Sequence, residues 1–221
     1  MPISIKSARE IELMTEAGRI LAIVHEEMEK ALRPGMTTKD IDRLGEEVIR
    51  SYGCVPSFLN YNGYPASVCV SVNDEVVHGI PTDKRVIREG DVVSLDAGVI
   101  YKGYHSDAAR THAVGAISPE AAKLIRVTEE SFFEGMKYAK EGNYWETMCA
   151  GAVTFRRALG GPPAWLCCGG PEAAGVTVWL QTHIRLASAA DPICKRLTRE
   201  SGFRREVRPQ NTLSTGSLLA L

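Results

Sequence analysis

Residues 91–114 read DVVSLDAGVIYKGYHSDAARTHAV, and their pattern predicts the central element of the fold. The segments 92–100 and 104–114 have the composition of β-strands, and Lys102-Gly103 between them is a turn signal. We therefore predict an antiparallel hairpin whose turn centres on these two residues.

The register of that hairpin brings two acidic residues together. With the turn so placed, Tyr101 lies opposite Tyr104 and Asp96 lies opposite Ala109. Asp107 is then the diagonal neighbour of Asp96 on the same face of the sheet, at a separation of about 7–8 Å. The two side chains are close enough to converge on one point.

Two interpretations of this aspartate pair follow from its chemistry. Carboxylates that close repel each other unless a cation lies between them, and hard divalent cations favour oxygen ligands. The pair therefore predicts a metal site. The structural alternative is that Asp96 caps the bend before Gly98, while Asp107 forms a surface ion pair with Arg110.

The residues before the hairpin predict helices. Ser7 and Glu10 form a capping box at the start of a periodic apolar run, and Pro34-Gly35 ends that run. A second helix begins at Thr37.

Further elements surround the hairpin. The second helix closes at Gly53, and 68–72 is a strand by composition. Another helix begins at Ser118-Pro119 and runs to about Lys140. This order of helices, strands and a final helix indicates an α+β domain.

Several motifs of the first 143 residues occur together in one known family. They are NGYP (62–65), SVC (67–69), VVHGIP (76–81), DVVSLDAG (91–98) and GYHSD (103–107). In combination they resemble the type I methionine aminopeptidases, and the resemblance covers about residues 3–143. It implies the first half of the pita-bread fold, an α/β domain with pseudo-twofold symmetry and a dinuclear metal site between its halves.

The resemblance also assigns the aspartates. By motif, Asp96 chelates one metal ion and Asp107 bridges both. The cofactor is then two divalent ions, for which Co, Mn, Fe, Zn and Ni are the candidates. The reaction it implies is hydrolytic removal of the initiator methionine from new polypeptides, by a metal-bound hydroxide.

Substrate-binding residues follow from the same resemblance. His78 matches the histidine that hydrogen-bonds the substrate near the scissile peptide, a catalytic role; its alternative is an ordinary loop histidine. Phe58, Tyr61, Tyr64 and Cys69 match the lining of the methionine side-chain pocket, and such a lining suits a thioether. Their alternative is plain core packing.

The whole chain has a formal charge of -1 and is 44% hydrophobic, so nothing indicates a nucleic-acid or membrane partner. We expect a cytoplasmic monomer that meets nascent polypeptide N-termini, at the ribosome. The six cysteines are expected to be thiols rather than disulfides.

The composition changes after residue 143. Residues 144–221 contain five of the 27 acids, all three tryptophans and four of the six cysteines. The family needs three further ligands there, in a Gly-His-Gly motif, an Ile-Glu-Pro motif and a C-terminal glutamate. None of these motifs occurs, and the single histidine of the segment, His183, fits neither histidine role.

We therefore expect 1–143 to be the N-terminal part of the family domain, and 144–221 to be an irregular, poorly ordered tail. Degenerate back-translation of the tail with a shifted frame permits Leu-Ala-Leu-Glu and, with a different shift, Gly-His-Gly, so a frameshift is our hypothesis. Three functions stay open: an inactive methionine aminopeptidase, a working one with unrecognised ligands, and a non-catalytic pita-bread protein that binds peptides or a partner.

Overall fold

The computed structural model describes residues 5–75 and 77–143, together with the backbone of 167–168 and 178–179. The elements in chain order are α1 (Ala8–Ala31), α2 (Thr38–Ser51), β1 (Val55–Pro56), a 3-10 helix (Tyr61–Gly63), β2 (Val68–Val72), β3 (Val92–Tyr101), β4 (Tyr104–Ala113), α3 (Pro119–Met136), β5 (Cys167–Cys168) and β6 (Val178–Trp179). The class is α+β. The chain divides into units 1–184 and 185–221, and all these elements belong to the first.

The starts of α1 and α2 are fixed by side chains that satisfy free backbone N–H groups. Ser7 and Glu10 form a complete capping box at α1, and Thr37 and Asp40 form another at α2. In each, the N-cap hydroxyl accepts an N–H while the acid accepts the N-cap N–H. The predicted starts of both helices are confirmed.

The third helix is shorter than predicted. It begins at the Ser118 cap with Pro119 in the first position, but it ends at Met136 instead of about residue 140. The N–H groups of Tyr138 and Ala139 bond to carbonyls three residues back, at Gly135 and Met136. Tighter turns thus replace the last α-helical turn, as often happens at helix ends.

The central strand of the sheet is β3. Along one edge it pairs with β4 over its whole length, and along the other it pairs with β2 and then with β1, all antiparallel. The strands β5 and β6 form a separate antiparallel pair. Strand β1 and the 3-10 helix were not predicted, because two or three residues carry too little periodicity.

The predicted hairpin is confirmed in its register. Tyr101 lies opposite Tyr104 and Asp96 opposite Ala109. The turn residues Lys102 and Gly103 both have positive φ, 49° and 87°, as a two-residue type I′ turn requires.

The two faces of the sheet have different surroundings. Alternate strand residues, among them Val70 on β2, Leu95 on β3 and Val99 at its end, pack against α1 and α2 in the main apolar core. Side chains of the other parity, including Cys69 and Asp96, lie on the opposite face. The hydrophobic core therefore fixes the position of a second, more polar face.

Two expectations concern the rest of the chain. Apart from the short β5–β6 pair, the irregular tail predicted for 144–221 lies outside the described residues. Within the part of the chain that the structure describes, no helix is long and apolar enough to cross a membrane.

Candidate metal centre

Asp96 and Asp107 occupy diagonal positions on the polar face of the β3–β4 hairpin. Asp96 lies opposite Ala109, and Asp107 lies opposite Gly98. Because side chains alternate between faces along a strand, residues 107 and 109 share the face of Asp96. A glycine opposite Asp107 leaves no side chain between the two carboxylates on that row.

Asp96 is buried and Asp107 is half-buried, and both carboxylates are short of hydrogen-bond partners. Asp96 is 2% exposed, and within the described residues neither of its carboxylate oxygens has a partner, nor does Oδ1 of Asp107. Burial raises the pKa of Asp96 well above its usual range, and the charge of Asp107 raises it further. Burial raises the pKa of Asp107 to about 8. Such a pair of acids, short of partners, is a costly arrangement in the absence of a cation.

The structural alternative for these residues is wrong. Asp96 lies in the middle of β3 and not at a bend. Arg110 is three residues from Asp107 on the same strand, so the two side chains lie on opposite faces of the sheet. Among residues 5–75 and 77–143, no ion pair joins them.

The donor set fits the carboxylate side of a site for divalent metal ions. The orphaned oxygens are hard ligands of the kind that such ions accept. In the described segments no third histidine, cysteine, aspartate or glutamate completes a group of three around a metal. Asp96 and Asp107 are therefore the candidates, among the described residues, for two of the five ligands that the resemblance implies.

An apolar cluster lies beside the carboxylates. Phe58, Tyr64 and Cys69 pack together with Ala66, and Ala109 of β4 covers them. Cys69 is directly opposite Asp96 in the sheet, so the cluster borders the acidic pair.

Three of the four predicted pocket residues therefore come together, and the fourth does not. Tyr61 is 41% exposed and lies outside the cluster. Cys69 is a free thiol, and burial together with the charge of Asp96 raises its pKa to about 12. The cluster presents a neutral, apolar lining. Cys54 is also free and buried, as expected for a reduced thiol.

His78 lies on the segment that follows residue 76, and its backbone is unusual. It is half-buried and has a φ of 54°, in the left-handed region that a histidine seldom adopts. Such conformations persist only where neighbouring contacts hold them, and they are concentrated at functional sites. The sequence motif indicated the residue, but no sequence signal indicated its backbone.

Two polar residues that help to build this region were not identified from the sequence. Asp42 on α2 is 1% exposed, and its Oδ1 accepts the N–H groups of Ser67 and Val68 at 2.8 and 3.0 Å. His25 is buried on the apolar stripe of α1. In both cases the sequence did contain an indication: a polar residue stands at a position that the helical period predicts to be buried.

Comparisons with known proteins show which family and which relatives this chain resembles. The model of metallopeptidase family M24 matches residues 12–172. The methionine aminopeptidase of Clostridium acetobutylicum is 55% identical over 141 residues, which are 64% of this chain and 56% of that protein. Methionine aminopeptidase 1 of Bacillus subtilis is 50% identical over 137 residues, 62% of this chain and 55% of that protein.

The likeness extends to solved structures. The crystal structure of methionine aminopeptidase from Thermotoga maritima matches with a TM-score of 0.60 and 41% identity, over 62% of this chain and 55% of that one. The chain spans about half the length of the curated relatives it matches. The family match continues to residue 172, past residue 143, where the resemblance inferred from the sequence ends.

Proposed function

This chain belongs to metallopeptidase family M24, and from that premise we propose that it carries the N-terminal part of a methionine aminopeptidase domain. In this proposal the substrate is the N-terminus of a nascent polypeptide, met in the cytoplasm at the ribosome by a monomeric enzyme. The observation that carries the proposal is the buried, unpartnered carboxylate of Asp96, with the half-buried Asp107 diagonal to it and an apolar cluster beside it.

Six of the residues described above have a role in this proposal. Asp96 and Asp107 hold the metal ions, which when bound supply Lewis-acid activation of water and of the peptide carbonyl. Phe58, Tyr64 and Cys69 enclose the methionine side chain, because a buried apolar lining with a sulfur atom suits a thioether. His78 donates a hydrogen bond to the peptide next to the scissile bond.

We further propose that residues 1–221 alone do not turn over substrate. The family site needs a histidine and two glutamates beyond Asp96 and Asp107, and the Gly-His-Gly and Glu-Pro motifs that supply two of them do not occur in the sequence. A metal binds well only when its full set of ligands is present. Binding of methionine without stabilisation of the transition state gives no rate.

The test is an assay of methionine release from the peptide Met-Ala-Ser by the purified chain, with Mn²⁺ or Co²⁺ added. We expect no release above the background of the Asp107→Ala variant. Metal-dependent release that both Asp107→Ala and His183→Ala abolish, and that the exposed-site control Asp83→Ala keeps, would show that the tail supplies ligands of its own.

A second function is supported by the intact apolar cluster. A non-catalytic family member can bind a methionine-bearing N-terminus through Phe58, Tyr64 and Cys69 without cleaving it. The coding DNA separates the two proposals, since the missing family motifs appear in shifted reading frames of 144–221 if the peptidase is disrupted, and do not appear in any frame if the chain is a binding protein.

A further inference from the structure

Gly79, the residue after His78, is held through both of its backbone polar groups. Its N–H donates to Oγ of Ser71 at 3.1 Å. Its carbonyl oxygen accepts the N–H of Val70 at 2.9 Å and the hydroxyl of Tyr64 at 3.3 Å. Three hydrogen bonds thus attach this segment to β2 and to the apolar cluster.

The attachment leaves no room for a side chain at position 79. A Cβ atom placed there would lie 2.2 Å from the carbonyl oxygen of Val70, well inside van der Waals contact. The segment therefore lies directly against the backbone of β2, and glycine is required by this close approach. The position of the segment is set by hydrogen bonds to Gly79 and not by side-chain packing at that residue.

These bonds lie directly beside the left-handed backbone of His78. A left-handed conformation at a residue with a side chain is unfavourable, so it needs neighbouring contacts to persist. The bond from Val70 is between backbone groups and is available to any sequence. The bond to Ser71 depends on a side-chain hydroxyl, which is 6% exposed and lies on the same face of β2 as Cys69.

We propose that Ser71 is a positioning residue for His78. By accepting the N–H of Gly79, its hydroxyl fixes the left-handed backbone of His78, next to the glycine whose carbonyl Tyr64 of the apolar cluster contacts. The inference rests on the proposed role of His78 in binding the peptide, and it adds a residue that selects the conformation needed for that role.

The neighbouring strand offers a matched control. Ser94 of β3 lies directly opposite Ser71 in the sheet, and its Oγ lies 2.9 Å from Oγ1 of Thr111. Ser94→Ala removes a hydroxyl from the same face and the same row without touching Gly79. Ser71→Thr keeps a hydroxyl at position 71 and serves as the conservative variant.

The experiment is NMR spectroscopy of the full 221-residue chain, with three readouts. The first is the HN–Hα coupling and Cα shift of His78, which report the sign of φ. The second is amide exchange at Gly79. The third is the response of the His78 ring to added Met-Ala-Ser, compared with the response of Cys69 in the pocket.

For Ser71→Ala we expect loss of the left-handed signature at His78 and exchange at Gly79 about tenfold faster. The peptide still shifts Cys69 but no longer shifts the His78 ring. Ser71→Thr and Ser94→Ala behave as the wild type does. A merely structural role for Ser71 would not separate the response of His78 from that of Cys69.

The positioning role of Ser71 and the binding of the peptide are contradicted by different results. If Ser71→Ala keeps the left-handed backbone of His78, or if Ser94→Ala loses it equally, the positioning role is wrong. If the peptide shifts neither His78 nor Cys69 in the wild type, the proposed peptide binding is wrong, while the backbone comparison at His78 still decides whether Ser71 holds that residue.

Discussion

The imidazole of His25 on α1 hydrogen-bonds the backbone of Ala108 on β4, with 2.9 Å between Nε2 and the carbonyl oxygen. Because a carbonyl only accepts, Nε2 carries the proton in this bond. Ala108 follows Asp107, so the contact ties the helix to the strand that carries one of the two carboxylates. Ser106, on the other side of Asp107, donates to the carbonyl of Ala17 at 2.9 Å.

This bond predicts acid sensitivity. Burial lowers the pKa of His25 from 6.5 to about 4. Well above pH 6.5 the imidazole is neutral in both the folded and the unfolded chain, so it contributes no pH dependence to stability. As the pH falls from 6.5 toward 4, the unfolded chain binds a proton at this residue and the folded chain does not, which lowers the free energy of unfolding. Between pH 7 and pH 5 we expect the free energy of unfolding of the wild type to fall by about 2 kcal/mol more than that of His25→Gln, whose amide can donate a hydrogen bond but does not titrate. Denaturant unfolding of both proteins at pH 7 and pH 5 measures this difference, and identical pH dependence would exclude it.

Because the carboxylates of Asp96 and Asp107 are short of hydrogen-bond partners, Asp96→Asn should stabilise the metal-free chain and should also abolish its stabilisation by added metal. Asp96→Asn replaces a buried carboxyl whose raised pKa means that folding at neutral pH must either protonate it or bury its charge beside Asp107. We expect the metal-free variant to be more stable than the wild type at neutral pH, by about 1–3 kcal/mol. Millimolar Mn²⁺ should raise the melting temperature of the wild type only. Thermal unfolding with and without Mn²⁺ tests this, with exposed Asp83→Asn as the control; equal stabilisation of Asp96→Asn by Mn²⁺ contradicts the metal assignment.

Asp42 anchors the start of β2. Its Oδ1 accepts two backbone N–H groups, from Ser67 and Val68, and its Oδ2 lies 2.6 Å from Nζ of Lys39. Asp42→Ala leaves both N–H groups buried without an acceptor, and we expect it to cost about 3 kcal/mol or more. Asp83→Ala, which breaks only an exposed ion pair with Arg43, should change stability by less than about 1 kcal/mol. Chemical denaturation compares the two, and similar losses would refute the anchoring role.

Two helical glycines predict opposite outcomes for the same substitution. Gly18 on α1 has no atom within 4 Å of a built Cβ, whereas a Cβ at Gly45 on α2 would lie 2.5 Å from Cγ2 of Val68. Gly18→Ala should stabilise the chain by up to about 1 kcal/mol through helix propensity. Gly45→Ala gains the same propensity, but overpacking against β2 should leave it destabilised by about 1–3 kcal/mol. Melting temperatures that move in the same direction for both variants would contradict this contact.

Local structure was readable from the sequence because its causes are local. The capping boxes of Ser7 with Glu10 and Thr37 with Asp40 each lie within three residues, and the hairpin register follows from one turn at Lys102 and Gly103. Side-chain alternation then placed Asp96 and Asp107 on one face. The family motifs pointed to Phe58, Tyr64 and Cys69, which do pack together, although they also pointed to the exposed Tyr61.

The hydrogen bonds that join separate elements could not be predicted from local patterns. The bonds between Ser67 and Asp42, between Gly79 and Ser71 and between His25 and Ala108 join residues 25, 8 and 83 positions apart, across elements that meet only in the folded chain. A local pattern constrains neighbours along the chain, but the burial and hydrogen-bond satisfaction of a polar group depend on every element packed around it. Motifs and strand alternation therefore identified the candidates Asp96, Asp107 and His78, while the burial of Asp96 and the left-handed backbone of His78 follow from packing between elements that are distant in the chain.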